Sequence, residues 1–242
     1  MTTTGITRGL ATVLVIGCAT TEISGPPKKI ETQPSPGIDS LSPGLVAAAD
    51  GATQVRLIAV VDSMLARDQR SVTFRTTAGT FPGNLREIVV PSDSGRHAIA
   101  ILIAPADPVT AEVTATAGGG TRRTQVQFEL ARPQDLDVIT DQPSVSRGYT
   151  TGIQVVVQLR RTPGVPTAGQ SVMFSAHTVG QSTSRGRFAS DVVATDAAGR
   201  AVVLFSPADS TYEGPLFIVA SVNGTQGILR DSTLIQIVPP PK

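Results

Sequence analysis

Two imidazoles, His97 and His177, are the obvious general bases of this 242-residue chain. To drive nucleophilic catalysis, either would need a hydroxyl or thiol beside it and a third group to orient the ring. His97 opens the run His97-Ala98-Ile99-Ala100-Ile101-Leu102-Ile103. Alternation with Ile99, Ile101 and Ile103 toward a core puts His97 on that same face near the strand's end, as a partly buried structural histidine. His177 follows Phe174-Ser175-Ala176 beside a loop carrying Ser182, Thr183 and Ser184, a surface setting. Neither lies near a Gly-x-Ser-x-Gly elbow, and the two fall in different halves of the chain, so a hydrolase using either one is the outlying alternative. Asp135, Asp137 and Asp141 cluster where the two halves meet. Oxygen ligands at a domain junction can hold calcium, but no Asp-x-Asp-x-Asp-Gly loop is present; solvated carboxylates are the plainer reading and a junction calcium site the alternative. Asp93 and Asp196, each just before a hairpin glycine, read as turn formers. Cys18 is the only cysteine, so there is no disulfide framework and no Cys/His cluster for zinc. No catalytic, cofactor-binding or metal-ligating residue is assigned.

Composition narrows the partners. Lys and Arg total 20 against 19 Asp and Glu, and with Arg8 of the N-terminal stretch set aside the remainder balances to zero, which gives no electrostatic case for nucleic acid. With no Trp and two Tyr, Tyr149 and Tyr212, stacking platforms for sugars are scarce, and Phe74, Phe81, Phe128, Phe174, Phe188, Phe205 and Phe217 mostly take core-pattern positions. No small-molecule substrate is evident. Arg122-Arg123 and Arg160-Arg161 are the densest basic spots; each pair spans both faces of a strand, which suits protection of a sheet edge.

The N-terminus carries an address. Leu10–Gly17 is too short for a membrane span, which needs about 20 apolar residues, but fits the core of a secretory signal. Val15-Ile16-Gly17-Cys18 resembles the bacterial lipobox, in which the cysteine is lipidated and becomes the new N-terminus. Two or three acyl chains at about 0.8 kcal/mol per buried methylene would hold such a protein to a bilayer. Ala19 follows, and in lipoproteins of two-membrane bacteria the lack of Asp there implies the outer membrane. Residues 1–17 therefore read as a lipoprotein signal peptide and 18–41, with Pro26, Pro27, Pro34 and Pro36, as a flexible tether.

Beyond the tether the chain repeats itself. Gln54-Val55-Arg56-Leu57 recurs as Gln154-Val155-Val156-Val157, and Ser71-Val72-Thr73-Phe74 as Ser171-Val172-Met173-Phe174. Gly79-Thr80-Phe81 returns as Gly186-Arg187-Phe188, and Gly95-Arg96 to Asp107 as Gly199-Arg200 to Asp209. Between landmarks the residues alternate with period two, as half-buried strands do. Turn chemistry punctuates them: Ser92-Asp93-Ser94-Gly95, Gly118-Gly119-Gly120, Thr162-Pro163-Gly164, Asp196-Ala197-Ala198-Gly199 and Asn223-Gly224. Asn223-Gly224 reads as the centre of a type I′ hairpin. About seven short strands per copy predict an all-β chain of two tandem antiparallel Ig-like β-sandwiches, one over 42–131 and one over 132–242, joined near Ala131-Arg132-Pro133-Gln134 as a semi-rigid rod.

Ala49-Asp50-Gly51 leading into Gln54–Val61, Thr76 to Phe81, Gly164 to Phe174 and Thr195 to Ala201 resemble the bacterial Ig-like domains of invasin/intimin type. Met64 to Arg70 departs from that pattern, replacing its Gly/Pro-containing connection. The resemblance implies a fold and no enzymatic residues. The expectation is a non-catalytic, lipid-anchored envelope protein, outer-membrane, periplasmic or surface-facing, held through Cys18. It would display Ig-like domains to another envelope or surface protein, the tip Thr178–Arg187 and the connection Ser63–Arg70 being places for contact. A spacer or clamp subunit of a larger envelope complex is the alternative.

Overall fold

A strand that alternates apolar and polar residues can bury only one face, so such strands are stable when two sheets close over a shared core. In the computed structural model, which describes residues 37–147, 152–180, 184–207 and 211–240, this happens twice. The first repeat contributes β1 (Ile38–Leu41), β2 (Leu45–Ala49), β3 (Gln54–Val61), β4 (Ser71–Thr76), β5 (Glu87–Pro91), β6 (His97–Ile103), β7 (Val109–Ala117) and β8 (Gly120–Leu130). They form a three-stranded sheet in the order β1-β3-β6 and a five-stranded sheet in the order β2-β8-β7-β4-β5.

The second repeat supplies β9 (Asp135–Thr140), β10 (Ser144–Ser146), β11 (Ile153–Arg160), β12 (Ser171–Thr178), β13 (Arg187–Phe188), β14 (Val192–Ala194), β15 (Arg200–Ser206), β16 (Gly214–Gly224) and β17 (Gly227–Val238). Its sheets run β13-β15-β11-β9 and β10-β17-β16-β12-β14. Both repeats split their first strand between the two sheets. β1 and β9 pair antiparallel with β3 and β11, while β2 and β10 pair parallel with β8 and β17. Apart from these two parallel contacts the ladders are antiparallel, and the only helical element among the described residues is one 3-10 turn at Arg67–Gln69.

Each sandwich has its own core. Leu57, Phe74, Phe81, Leu102 and Phe128 anchor the first. Val157, Phe174, Phe188, Phe205 and Ile218 anchor the second, where Phe188 packs against Phe205 with ring centroids 5.0 Å apart.

Four expectations are corrected. β1 lies inside the expected tether: Ile38 is buried and pairs with Val61, so the folded region starts four residues earlier than 42. A strand this short between Pro36 and Pro43 has no alternation to reveal it. In β6 it is Ala98, Ala100 and Leu102 that face the core, while Ile99 and His97 are exposed. Every position of that strand except His97 is apolar, so alternation could not choose the phase; the large rings of Phe74 and Phe81 in the core leave room for small alanines. The second copy has the same phase, with Ala201, Val203 and Phe205 inward and Arg200 outward. The Asn223-Gly224 pair is not the turn centre. Asn223 pairs with Ile228 and Gly224 with Gly227, so Thr225-Gln226 forms the tip, held by a Thr225 N–H bond to the Pro133 carbonyl.

The fourth concerns the repeat's hairpins. Asp93 accepts from the N–H of His97 at 2.8 Å and Asp196 from that of Arg200 at 2.9 Å, so Asp93–His97 matches Asp196–Arg200. Arg96 therefore stands where the second copy has Gly199, with φ 69° against 74°. The unfavourable left-handed backbone is tolerated at Arg96 because its guanidinium reaches Asp39 at 3.0 Å and the Val61 carbonyl at 2.9 Å, clamping β1 to β3.

Candidate functional site

The residues that could do chemistry are dispersed. His97 lies at a strand end with Nδ1 3.6 Å from Asp93 Oδ1, and its N–H is the first cause holding the Asp93 carboxyl below the usual range. His177 Nε2 lies 3.0 Å from Ser175 Oγ on the outer face of β12, but among the described residues its Nδ1 has no hydrogen-bond partner and no third group orients the ring. Asp135 and Asp137 both face Arg160, and Asp141 accepts the Gln154 N–H at 2.8 Å. The three carboxylates do not converge, and among the described residues no group of three metal-ligating side chains is present. Cys18 and Tyr149 lie outside the described residues, as do residues 181–183 of the tip 178–187. In the connection 63–70, Leu65 is buried, Met64 is exposed, and Arg70 ties the loop to the Leu65 carbonyl at 2.9 Å.

The arginine pairs do not guard edges. Arg122 Nε donates to the Ile38 carbonyl and Arg123 pairs with Glu112, each at 3.1 Å. β11 lies inside its sheet, and Arg160-Arg161 at its end serves the joint between the sandwiches. Arg161 Nε reaches Asp50 Oδ2 of the first domain at 3.1 Å, with the two side chains 13% and 0% exposed. Burial pushes the Asp50 carboxyl up, but bonds from the Thr53 hydroxyl and N–H, the Ala52 N–H and Arg161 outweigh it and hold the group below its ordinary range.

Around that pair the domains interlock. Thr167 Oγ1 donates to the Ala49 carbonyl and accepts the Ala131 N–H, both at 2.9 Å, while its own N–H reaches the Ala131 carbonyl at 3.0 Å. The Val165 N–H donates to the Asp50 carbonyl at 3.1 Å. Gly164, at φ +76°, lies so close that a Cβ there would be 2.2 Å from the Asp50 carbonyl oxygen. Sequence reasoning saw Asp50 and Arg161 separately; they lie far apart along the chain, and the one available signal was that Thr150 replaces Asp50 at the matching place in the second copy.

The joint fixes how the outer faces are presented, and those of the two larger sheets differ. In the first domain, Arg75 pairs across β4 and β5 with Glu87 at 2.5 Å, and Arg123 with Glu112 across β7 and β8, among Thr73, Thr114, Thr116 and Thr121, with exposed apolar side chains at the two edge strands, Val46 and Val89. The same face of the second domain carries Met173, Val192, Phe217, Val219 and Leu234 with serines between them. Met173 is 60% and Leu234 52% exposed. Among the described residues its strand positions hold one permanent charge, Arg230. Phe217 is the one phenylalanine outside the cores. The smaller sheet of the second domain is also apolar outside, at Ile139, Val202 and Leu204, but is charged at its joint end by Asp135, Asp137, Arg160 and Arg200.

No protein-family model matches the chain, and no curated protein does. Among solved structures it is similar to invasin, described as a bacterial integrin-binding protein, with TM-score 0.60 and 19% identity over 83% of this chain and 40% of that one. It is also similar to the Yersinia pseudotuberculosis adhesin InvE, with TM-score 0.48 and 17% identity over 81% of this chain and 58% of that one. The chain thus spans well under two thirds of either structure. At these identities the likeness to invasin is one of fold: two consecutive Ig-like β-sandwiches.

Proposed function

We propose that the chain is a non-catalytic cell-envelope lipoprotein, anchored through Cys18 and displaying two Ig-like domains that bind other proteins. The observation that carries the binding role is the half-exposed apolar face of the larger sheet in the second domain. Contiguous exposed apolar surface of this kind marks interaction sites on soluble domains, whereas scattered apolar residues do not. Invasin, whose structure is described as that of an integrin-binding protein, offers a precedent for binding on this fold. The interlocked joint favours a second reading, a spacer or clamp subunit of a larger envelope assembly, because a buried ion pair between domains holds a fixed presentation.

The test is the intact mass and membrane partition of the chain expressed in a bacterial host, beside Cys18→Ala. Wild type should begin at residue 18, carry added lipid mass and sediment with membranes, and Cys18→Ala should stay soluble. Unprocessed, soluble wild type overturns the anchor. Detergent extraction then separates the two readings: a spacer or clamp subunit elutes in a large complex with fixed partners, a displayed binder does not.

A further inference from the structure

From the apolar face of β16 and its neighbours, and resting on the protein-binding reading above, we infer that its occupant is a second copy of this chain, packed face to face around a two-fold axis that runs along β16. Such an axis keeps strand direction and exchanges the flanks of the sheet. Phe217 then meets the second copy's Phe217, and Val219 meets its Val219. The cross-strand rows Leu234-Phe217-His177, Ser232-Val219-Ser175 and Arg230-Ser221-Met173 fall on themselves reversed. Arg230 therefore lies over the second copy's Met173 and never over another Arg230, its aliphatic stem along a thioether.

The first domain shows why the pairing is confined to the second. There the row equivalent to Ser232-Val219-Ser175 is Arg123-Thr114-Arg75, and the same axis would press the Arg123–Glu112 ion pair against the second copy's Arg75–Glu87 pair, taking four charges out of water. Size is adequate for a reversible contact. The axis lays β16 on β16 and β17 on β12, while the short edge strands β10 and β14 sit at opposite ends of the sheet. Three strands about 4.8 Å apart, overlapping over about eight to eleven residues rising about 3.3 Å each, give about 430 Å² in plan, so two faces bury roughly 900 Å², the range of weak, reversible contacts. Preserved strand direction also suits two chains tethered to one membrane, since both would point the same way.

Single cysteines test this in the full chain carrying Cys18→Ala, which removes the only native thiol. Val219→Cys lies on the axis, and Thr114→Cys occupies the matching place in the first domain. A short bismaleimide should link Val219→Cys into a species of twice the chain mass, with Thr114→Cys giving roughly tenfold less. Adding Phe217→Lys to Val219→Cys should abolish the product while leaving the unfolding transition where it was. Equal yields at the two positions, or persistence of the product with Phe217→Lys, overturn the dimer. The same cross-link is then run on membranes bearing the anchored chain. A product of Val219→Cys with some other mass only overturns the dimer and leaves the protein-binding reading standing, and no product in either setting removes the face from both.

Discussion

The two repeats solve the same packing problem and then part at the surface. Their cores use equivalent strands and equivalent rings, Phe74 with Phe174 and Phe81 with Phe188. The centres of their larger sheets differ outward, with threonines and paired charges flanked by the edge valines Val46 and Val89 in the first, and methionine, phenylalanine, valine and leucine among serines in the second. Core positions are constrained by volume and burial, while an outward position only has to stay soluble, so it is free to diverge toward a task. Where two copies of one fold keep their interior and exchange the chemistry of a face, the face is where their roles differ.

The sharpest test of the shared interior is truncation of its matched rings. Phe74→Ala and Phe174→Ala should each cost about 3–5 kcal/mol in denaturant unfolding, whereas Phe217→Ala, on the open face, should cost far less. If truncating Phe217 cost as much as truncating Phe174, the face would be part of the core and the contrast between the domains would collapse.

The joint comes next in size. Asp50→Ala leaves Arg161 with an uncompensated, largely buried charge and should cost about 3 kcal/mol, read as loss of a common unfolding transition for the two domains. Asp50 binds its proton less readily in the folded than in the unfolded chain. The stability it gives is thus fully present above its unfolded value and lost as pH falls through the folded one. Wild type should therefore lose stability more steeply than Asp50→Asn below about pH 4, and equal acid slopes would show that the Thr53, Ala52 and Arg161 bonds do not hold the carboxyl below its ordinary range.

The smallest effect separates the two hairpins. Gly199→Ala should cost about 1–2 kcal/mol, because the left-handed conformation disfavours any Cβ and this one would approach the Leu159 carbonyl oxygen to 2.9 Å. Arg96→Ala keeps its backbone conformation and loses the clamp on Asp39 and Val61, so hydrogen exchange should rise at β1 specifically. A uniform rise across the first domain would mean that Arg96 supports more than that strand.

Much of the fold was legible because period-two alternation and turn residues are local signals. The repeat of Ser71 to Phe74 in Ser171 to Phe174, and the phase of β3 from Val55, Leu57, Ala59 and Val61, required no knowledge of partners. Where every residue of a strand was apolar, as in Ala98 to Ile103, the same signal lost its meaning. The outward turn of Phe217 was hidden for a related reason: β16 carries apolar residues on both faces, and it is Leu216, Ile218, Ala220 and Val222 that the core claims.

By itself the sequence determined the all-β class, the duplication, the neutral charge balance and the lone cysteine behind a short apolar run, since each is set by composition or by neighbours along the chain. The eight and nine strands of the two copies exceed the expected seven because short edge strands such as β10 and β14 carry too few residues to alternate. Only the tertiary structure decided that Arg161 meets Asp50, that Arg96 replaces a glycine by clamping β1, and that the second domain presents a largely apolar face with Arg230 as its one permanent charge among the described strand residues. Those outcomes depend on which distant residues share a burial site, and burial is a property of the packed sheets that no local pattern encodes.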